Sequence, residues 1–87
     1  MQVAYTNTAI RALSRLQASL RQRILSKIAA YANDPIARTT NVRTLKGREG
    51  LRLRVGDYRV IFMVTSDADG VETMTIVAVG HRSTIYD

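Results

Sequence analysis

The chain has 87 residues, of which thirteen are Lys or Arg and seven are Asp or Glu, so its formal net charge at neutral pH is +6. It has no cysteine and one histidine, which excludes disulfide frameworks, thiolate metal sites and histidine-rich metal sites. The excess of basic residues favours a polyanionic partner, either nucleic acid or an acidic protein, although it is also compatible with a basic surface that serves only solubility.

The length predicts one domain over residues 1–87. No apolar run approaches the ~20 residues that a membrane span needs. The first residues also lack the charged and apolar pattern of a secretory signal. We therefore expect a cytoplasmic protein without membrane contact.

The first half of the chain predicts a short strand followed by two helices. Residues 3–5 are apolar enough for an edge strand, and Asn7 or Thr8 can cap the helix that follows. A short break with Ser19 as a second N-cap precedes another helix, whose apolar residues recur at helical spacing. This helix is expected to stop near Asn33, because the proline that follows disfavours helical geometry before it.

The second half of the chain predicts four strands. Residues 42–46 can form the first, and residues 51–55 and 58–65 flank a two-residue loop as a hairpin does. Residues 71–79 are apolar on both faces, so we expect this strand inside the sheet, with residues 80–83 leaving it. The order β-α-α-β-β-β-β predicts an α+β fold in which two N-terminal helices pack on a mainly antiparallel sheet of four to five strands.

The hairpin is the most informative element. If Gly56 and Asp57 form its loop, Arg54 lies directly opposite Arg59, with Arg52 one pleat away on the same face. The other face then pairs apolar side chains: Val55 with Tyr58, Leu53 with Val60, and Leu51 with Phe62. Like charges that face each other across strands are destabilising. An anionic ligand, for which a phosphate backbone is the natural candidate, would compensate for this repulsion.

Basic side chains dominate the residues that could carry chemistry. The carboxylates are scattered and no glycine-rich phosphate loop is present. The candidates near the predicted hairpin and C-terminus are Arg52, Arg54, Arg59, Arg82, His81 and Tyr86, with Lys46 and Arg48 at the rim. Arg52 and Arg54 could instead be the solvated face of an amphipathic strand. His81 could be an ordinary loop residue, and Tyr86 could simply anchor the C-terminus.

Four segments carry a resemblance to a known family. They are Leu45-Lys46-Gly47, the run over residues 51–62 with Gly56-Asp57-Tyr58-Arg59 at its turn, Val79-Gly80-His81-Arg82, and Ile85-Tyr86. Together they resemble the RelE branch of the RelE/ParE toxin superfamily. The resemblance implies the toxin of a type II toxin–antitoxin system that enters the ribosomal aminoacyl site. There it would cleave mRNA without metal or other cofactor, by attack of a 2′-hydroxyl on the adjacent phosphate.

The resemblance also implies roles for individual residues. Arg59 and Arg82 match the phosphate-binding and transition-state arginines of the family, and Tyr86 matches its late tyrosine, which orients the scissile nucleotide. Arg54, like Arg52, falls where the best-known members carry lysine. Arginine essentially cannot be deprotonated, so Arg54 is expected to stabilise charge. The general base is then unassigned, and His81 is a candidate because histidine changes protonation near neutral pH.

Two other functions remain open at this stage. A ParE-like inhibitor of DNA gyrase shares the fold, and a non-catalytic RNA-binding or antitoxin-binding module would need no base. For each toxin the resemblance implies a cognate antitoxin, acidic in its neutralising segment, that folds onto the helices and sheet. Binding of operator DNA is expected only through that antitoxin, since nothing in this chain indicates a helix-turn-helix.

Overall fold

The element order and fold class predicted from the sequence are confirmed. The computed structural model describes residues 1–38 and 40–85, in which two helices lie on one face of a five-stranded sheet. The helices are α1 (Asn7–Ser14) and α2 (Ala18–Asn33), and the strands are β1 (Gln2–Tyr5), β2 (Val42–Thr44), β3 (Leu51–Val55), β4 (Tyr58–Ser66) and β5 (Glu72–His81). The strand order is β1-β5-β4-β3-β2; β1 pairs parallel to β5, and the other pairs are antiparallel.

The predicted helix caps are wrong by one or two residues. Thr6 caps α1, and its hydroxyl accepts from the N–H of Ala9 at 3.2 Å. Thr6 also donates its own N–H to the carbonyl of Ile76 in β5 at 3.0 Å. The parallel pairing with β5 therefore fixes where the strand ends, and the first residue beyond it becomes the cap. Helix α2 follows Gln17, which makes no side-chain cap, so Ser19 lies inside the helix.

An arginine stabilises the break between the two helices. The guanidinium of Arg21 donates to the carbonyl of Leu16 at 2.9 Å and to that of Leu13 at 3.4 Å. These carbonyls lie at and just beyond the end of α1, where no further helical turn supplies donors; that of Leu13 also accepts the N–H of Leu16 at 3.2 Å. Arg21 thereby holds the start of α2 against the end of α1.

No helix in the described part of the chain is long and apolar enough to cross a membrane.

The core lies between α2 and the sheet. Phe62 at its centre is fully buried, and its ring lies 5.3 Å from that of Tyr31 in α2, tilted by 59°. Leu53 and Val60 pack on the same face, as the hairpin register predicts. Ile61 is also buried although it points to the opposite face of the sheet, where its register neighbours are Arg52 and Ala78. The face that carries Arg52 therefore also contains a buried apolar side chain.

Two strand ends differ by two residues from the sequence prediction, and the other differences are of one residue. Strand β2 stops at Thr44, because Leu45 turns inward, is buried, and donates its N–H to the carbonyl of Gly50 at 3.1 Å. Strand β5 continues to His81 and does not end before Gly80. The two extra residues pair with the start of β4, Gly80 with Arg59 and His81 with Tyr58. Glycine suits this position because a Cβ there would lie 3.3 Å from that of Ile85, which folds back over the strand.

Candidate functional site

Two pairs of arginines face each other on the side of the sheet away from the helices. Arg54 lies opposite Arg59 across β3 and β4, which confirms the predicted register. Arg43 lies opposite Arg52 across β2 and β3. Arg43 was missed by the sequence reasoning, although its alternation with Val42 signals an outward position once β2 is paired with β3. Like charges that face each other across strands are destabilising by up to about 1 kcal/mol per pair.

The arginines line two adjoining cavities. The first, called here the arginine cavity, has a volume of about 160 Å³ and is lined by Arg52, Arg54, Gly56, Tyr58, Arg59 and Arg82. The second, of about 120 Å³, is lined by Thr40, Asn41, Arg43, Arg52 and Arg54. Arg52 and Arg54 belong to both, so the two cavities form one basic depression. Four of the predicted site residues, Arg52, Arg54, Arg59 and Arg82, meet in the arginine cavity.

The hairpin loop positions two of these arginines. Gly56 has a φ of +58°, a conformation that suits a two-residue loop, and its carbonyl accepts a long hydrogen bond of 3.4 Å from Nε of Arg54. The carbonyl of Asp57 accepts the backbone N–H of Arg82 at 2.8 Å. The carboxylate of Asp57 lies 3.7 Å from Nε of Arg82, but both side chains are about two-thirds exposed. Such an exposed ion pair contributes little, so the backbone hydrogen bond is what holds Arg82 beside the loop.

A helix residue also reaches the loop. The guanidinium of Arg23 in α2 lies 3.4 Å from the position that a Cβ would occupy on Gly56. Any side chain on Gly56 would therefore meet this guanidinium, in addition to the strain of the positive φ. Arg23 brings a further positive charge to the side of the loop that faces the helices, and sequence reasoning missed this proximity because Arg23 and Gly56 are far apart in the chain.

His81 does not line the arginine cavity. It pairs with Tyr58, so the two side chains share the face opposite Arg54 and Arg59, and their rings meet edge to face at 5.4 Å. Nδ1 of His81 accepts the backbone N–H of Ser83 at 3.1 Å and lies 2.7 Å from the Ser83 hydroxyl. A backbone N–H can only donate, so the neutral imidazole carries its proton on Nε2. His81 therefore adjoins two residues that line the cavity, Tyr58 across the strands and Arg82 along the chain.

The remaining predicted residues lie elsewhere. Lys46 and Arg48 lie in the exposed turn between β2 and β3 and line none of the cavities described here. Tyr86 lies outside the described residues. In the ranges 1–38 and 40–85 no three His, Asp or Glu side chains are grouped as metal ligands would be.

A larger apolar groove lies on the other side of the molecule. It has a volume of about 550 Å³ and is lined by Tyr5, Ile10, Leu13, Ser14, Arg21 and Leu25, from β1 and both helices. Half of the surface of Ile10 is exposed, which is unusual for so large an apolar side chain on a helix. Burial raises the pKa of the Tyr5 phenol, so this side chain stays neutral. The groove is thus suited to an apolar face of a partner.

The sequence matches one protein family over nearly its whole length. A model of the family described as the ParE toxin of the type II toxin–antitoxin system, parDE, matches residues 3–86. No curated protein matches the sequence.

Solved structures with the same fold come from archaea and bacteria. A chain of the RelB–RelE antitoxin–toxin complex from Methanococcus jannaschii is 27% identical, with a TM-score of 0.71 over 97% of this chain and 95% of that chain. A chain of the archaeal RelE–RelB complex from Pyrococcus horikoshii OT3 is 24% identical, with a TM-score of 0.72 and 97% of each chain covered. The isolated E. coli RelE toxin is 18% identical, with a TM-score of 0.66 over 92% of this chain and 82% of that chain.

Replacing one arginine of the facing pair should stabilise the fold. Arg54→Thr removes the repulsion with Arg59 while keeping a residue that suits a strand. We expect the free energy of unfolding in urea to rise by a few tenths up to about 1 kcal/mol at low salt, and the gain to shrink at ~1 M salt, where the Debye length is ~3 Å.

Lys46→Thr is the matched control, since it removes an exposed charge from the same molecule but faces no cation across a strand. An equal gain in this control would mean that net charge, and not the cross-strand pair, carries the effect.

Proposed function

The chain belongs to the ParE toxin family of type II toxin–antitoxin systems, within the RelE/ParE superfamily, and we propose that it is an endoribonuclease that cleaves mRNA on the ribosome. The observation that carries this proposal is the convergence of Arg52, Arg54, Arg59 and Arg82 on one cavity. Cations placed this close together repel one another, and a phosphate group placed between them would be attracted to each of them. RNA offers such a group at every nucleotide.

The proposed reaction needs little more than charge stabilisation and two proton transfers. The 2′-hydroxyl of one nucleotide attacks the adjacent phosphorus, and the bond to the 5′-oxygen of the next nucleotide breaks. Negative charge that builds on the phosphoryl oxygens is stabilised by guanidinium groups fixed beforehand in the cavity. Arg54 and Arg59 flank the cavity from neighbouring strands, and Arg82 is held by its backbone at the hairpin loop. We assign Arg82 to the leaving 5′-oxygen, because it enters the cavity from a separate segment. Its guanidinium would stabilise the negative charge on that oxygen until the oxygen takes a proton from water, and the 2′-oxygen would remain bonded to phosphorus in a cyclic phosphate.

The arginines cannot supply the general base, because a guanidinium remains protonated. We retain His81 as the proposed base. For this role, the hydrogen bond from Ser83 to Nδ1 must break, and the imidazole ring must move past Tyr58 towards the cavity. Tyr86 remains the proposed residue that orients the scissile nucleotide, while Lys46 and Arg48 are proposed to contact RNA outside the cavity. Arg43 joins them as a proposed RNA-binding residue.

Loss of either transition-state arginine should abolish cleavage without unfolding the protein. Arg59→Ala and Arg82→Ala each remove a charge from the arginine cavity, and electrostatic groups of this kind typically contribute ~10²–10³ in rate. The measurement is primer extension on a reporter mRNA in a reconstituted translation reaction, with circular dichroism to verify folding.

Arg11→Ala, an exposed change on α1, should cut mRNA as the wild type does. If Arg59→Ala or Arg82→Ala is folded and still cleaves at the wild-type rate, the proposed roles are wrong.

A separate variant tests the base. His81→Gln should reduce the single-turnover cleavage rate by ~10²–10⁴ while leaving binding to programmed ribosomes unchanged, because only proton transfer is lost. Cleavage at the wild-type rate would remove His81 from the mechanism and direct attention to Asp57, whose carboxylate lies beside Arg82. Equal losses of binding and cleavage would make His81 a support for Tyr58.

A second candidate function follows from the family description, which is that of a ParE toxin. An inhibitor of DNA gyrase would share this fold and would arrest growth while leaving mRNA intact. The same primer-extension experiment separates the two, since new cuts inside codons during translation support the nuclease. Intact mRNA together with loss of DNA supercoiling would support gyrase inhibition. Intact mRNA without growth arrest would support a non-catalytic binding module.

The similarity to chains of toxin–antitoxin complexes supports a cognate antitoxin as partner. We propose that the apolar groove between α1, α2 and β1 receives a helix of that antitoxin, and that an acidic segment covers the arginine cavity. Operator DNA would be bound by the antitoxin within the complex.

The groove can be tested without disturbing the arginines. Ile10→Asp places a charge in the groove and should prevent neutralisation by a co-expressed antitoxin, while toxicity of the free protein persists. Ile36→Asp is the control, because Ile36 is 89% exposed and lies outside the groove. Growth rescue by antitoxin is the readout, and equal rescue of both variants would contradict docking in the groove.

A further inference from the structure

A third basic cavity lies between α2 and the segment that leads into β2. Its volume is about 220 Å³, and its polar lining comes from Lys27, Tyr31, Arg38, Thr40, Asn41 and Arg54. Three of these side chains are cationic and none is a carboxylate. We call it the helix-side cavity. Neither the sequence motifs nor the reaction described above makes use of it.

Two of the three cations of this cavity have no neutralising partner among the described residues. Lys27 and Arg38 make no hydrogen bond or ion pair to any residue in the ranges 1–38 and 40–85. Burial and, to a smaller extent, the charge of Glu72 raise the pKa of Tyr31, so its phenol adds no negative charge. An anion that entered the cavity would therefore meet cations without displacing an internal partner from Lys27 or Arg38.

The helix-side cavity and the arginine cavity share Arg54. Arg54 lines both of them as well as the cavity beside Arg43, and Asn41 lines two of the three. The backbone N–H of Arg54 donates to the carbonyl of Asn41 at 2.9 Å, which fixes this segment alongside β3. Cross-strand neighbours are roughly 5 Å apart, and alternate residues along a strand are about 7 Å apart. Basic side chains therefore extend from Arg82 in the arginine cavity, through Arg54, to Lys27 in the helix-side cavity.

We propose that the helix-side cavity binds a backbone phosphate of the same RNA strand that the arginine cavity holds, beyond the phosphate that is cut. This inference rests on the proposed function and extends it. The protein would recognise several consecutive nucleotides of RNA and not only the phosphodiester that is cut. An RNA strand suits the track better than an acidic peptide does, because each nucleotide carries a charge at a regular interval. Lys27 and Arg38 would bind RNA and take no part in the bond-breaking step.

Binding of non-cleavable RNA tests this assignment. The probes are a dinucleotide and a hexanucleotide, both single-stranded and 2′-O-methylated, and the affinity of each is measured by fluorescence anisotropy over a range of salt concentrations. The wild type should bind the hexanucleotide more tightly and with a steeper salt dependence. The double variant Lys27→Gln/Arg38→Gln should lose most of that gain, and its slope of log K against log salt should fall by about 0.7 for the lost phosphate.

Three controls show whether the loss of hexanucleotide affinity is specific to the helix-side cavity. Dinucleotide binding by the double variant should match the wild type, and Lys27→Arg/Arg38→Lys should restore the hexanucleotide gain. Arg11→Gln/Arg15→Gln removes the same net charge away from the cavity and should retain the gain.

Each remaining outcome is decisive. Equal hexanucleotide binding by wild type and double variant would overturn the helix-side assignment alone. If the double variant instead lost only binding to poly-glutamate, the cavity would be a site for an acidic protein segment, and the inference would be wrong. Failure of the wild type to bind either oligonucleotide, together with intact mRNA in the translation reaction, would overturn the proposed function itself.

Discussion

The site depends on one constraint, the register of the β3–β4 hairpin. Leu53, Val60 and Phe62 are almost completely buried on the face that meets α2. A slip of one residue would turn this whole set towards solvent, at a cost of several kcal/mol, since a large buried side chain is worth ~1.5–3 kcal/mol. The repulsion between Arg54 and Arg59 costs up to about 1 kcal/mol, which is less than the cost of exposing these buried side chains. Core packing on one face therefore holds the arginines together on the other.

Segments outside the hairpin complete the site by backbone contacts. The N–H of Arg82 reaches the carbonyl of Asp57, and the N–H of Arg54 reaches that of Asn41. Backbone hydrogen bonds of this kind are unaffected by the charge of the side chains, so the arginines stay in place although they repel one another. The buried side chain of Ile61 lies across from Arg52 on the neighbouring strand, so the basic face also carries apolar surface.

The hairpin could be predicted from the sequence because two short-range patterns indicated the same register. Alternation of period two assigned the faces, and the two-residue loop at Gly56-Asp57 assigned the register. The features that were missed depend on distant parts of the chain. The cap at Thr6 follows from parallel pairing with β5, and the outward place of Arg43 follows from the pairing of β2. The face of His81 likewise became evident only when β5 was found to continue beyond Gly80.

The charge arrangement also links inhibition to stability. A protein of net charge +6 with two facing arginine pairs carries repulsion that the core must offset. A partner whose acidic groups cover those pairs blocks the cavity and at the same time removes the repulsion. Binding to the folded state alone stabilises it by mass action, and relief of repulsion is part of that binding energy. Contacts of a partner that cover such a site would therefore also stabilise the fold.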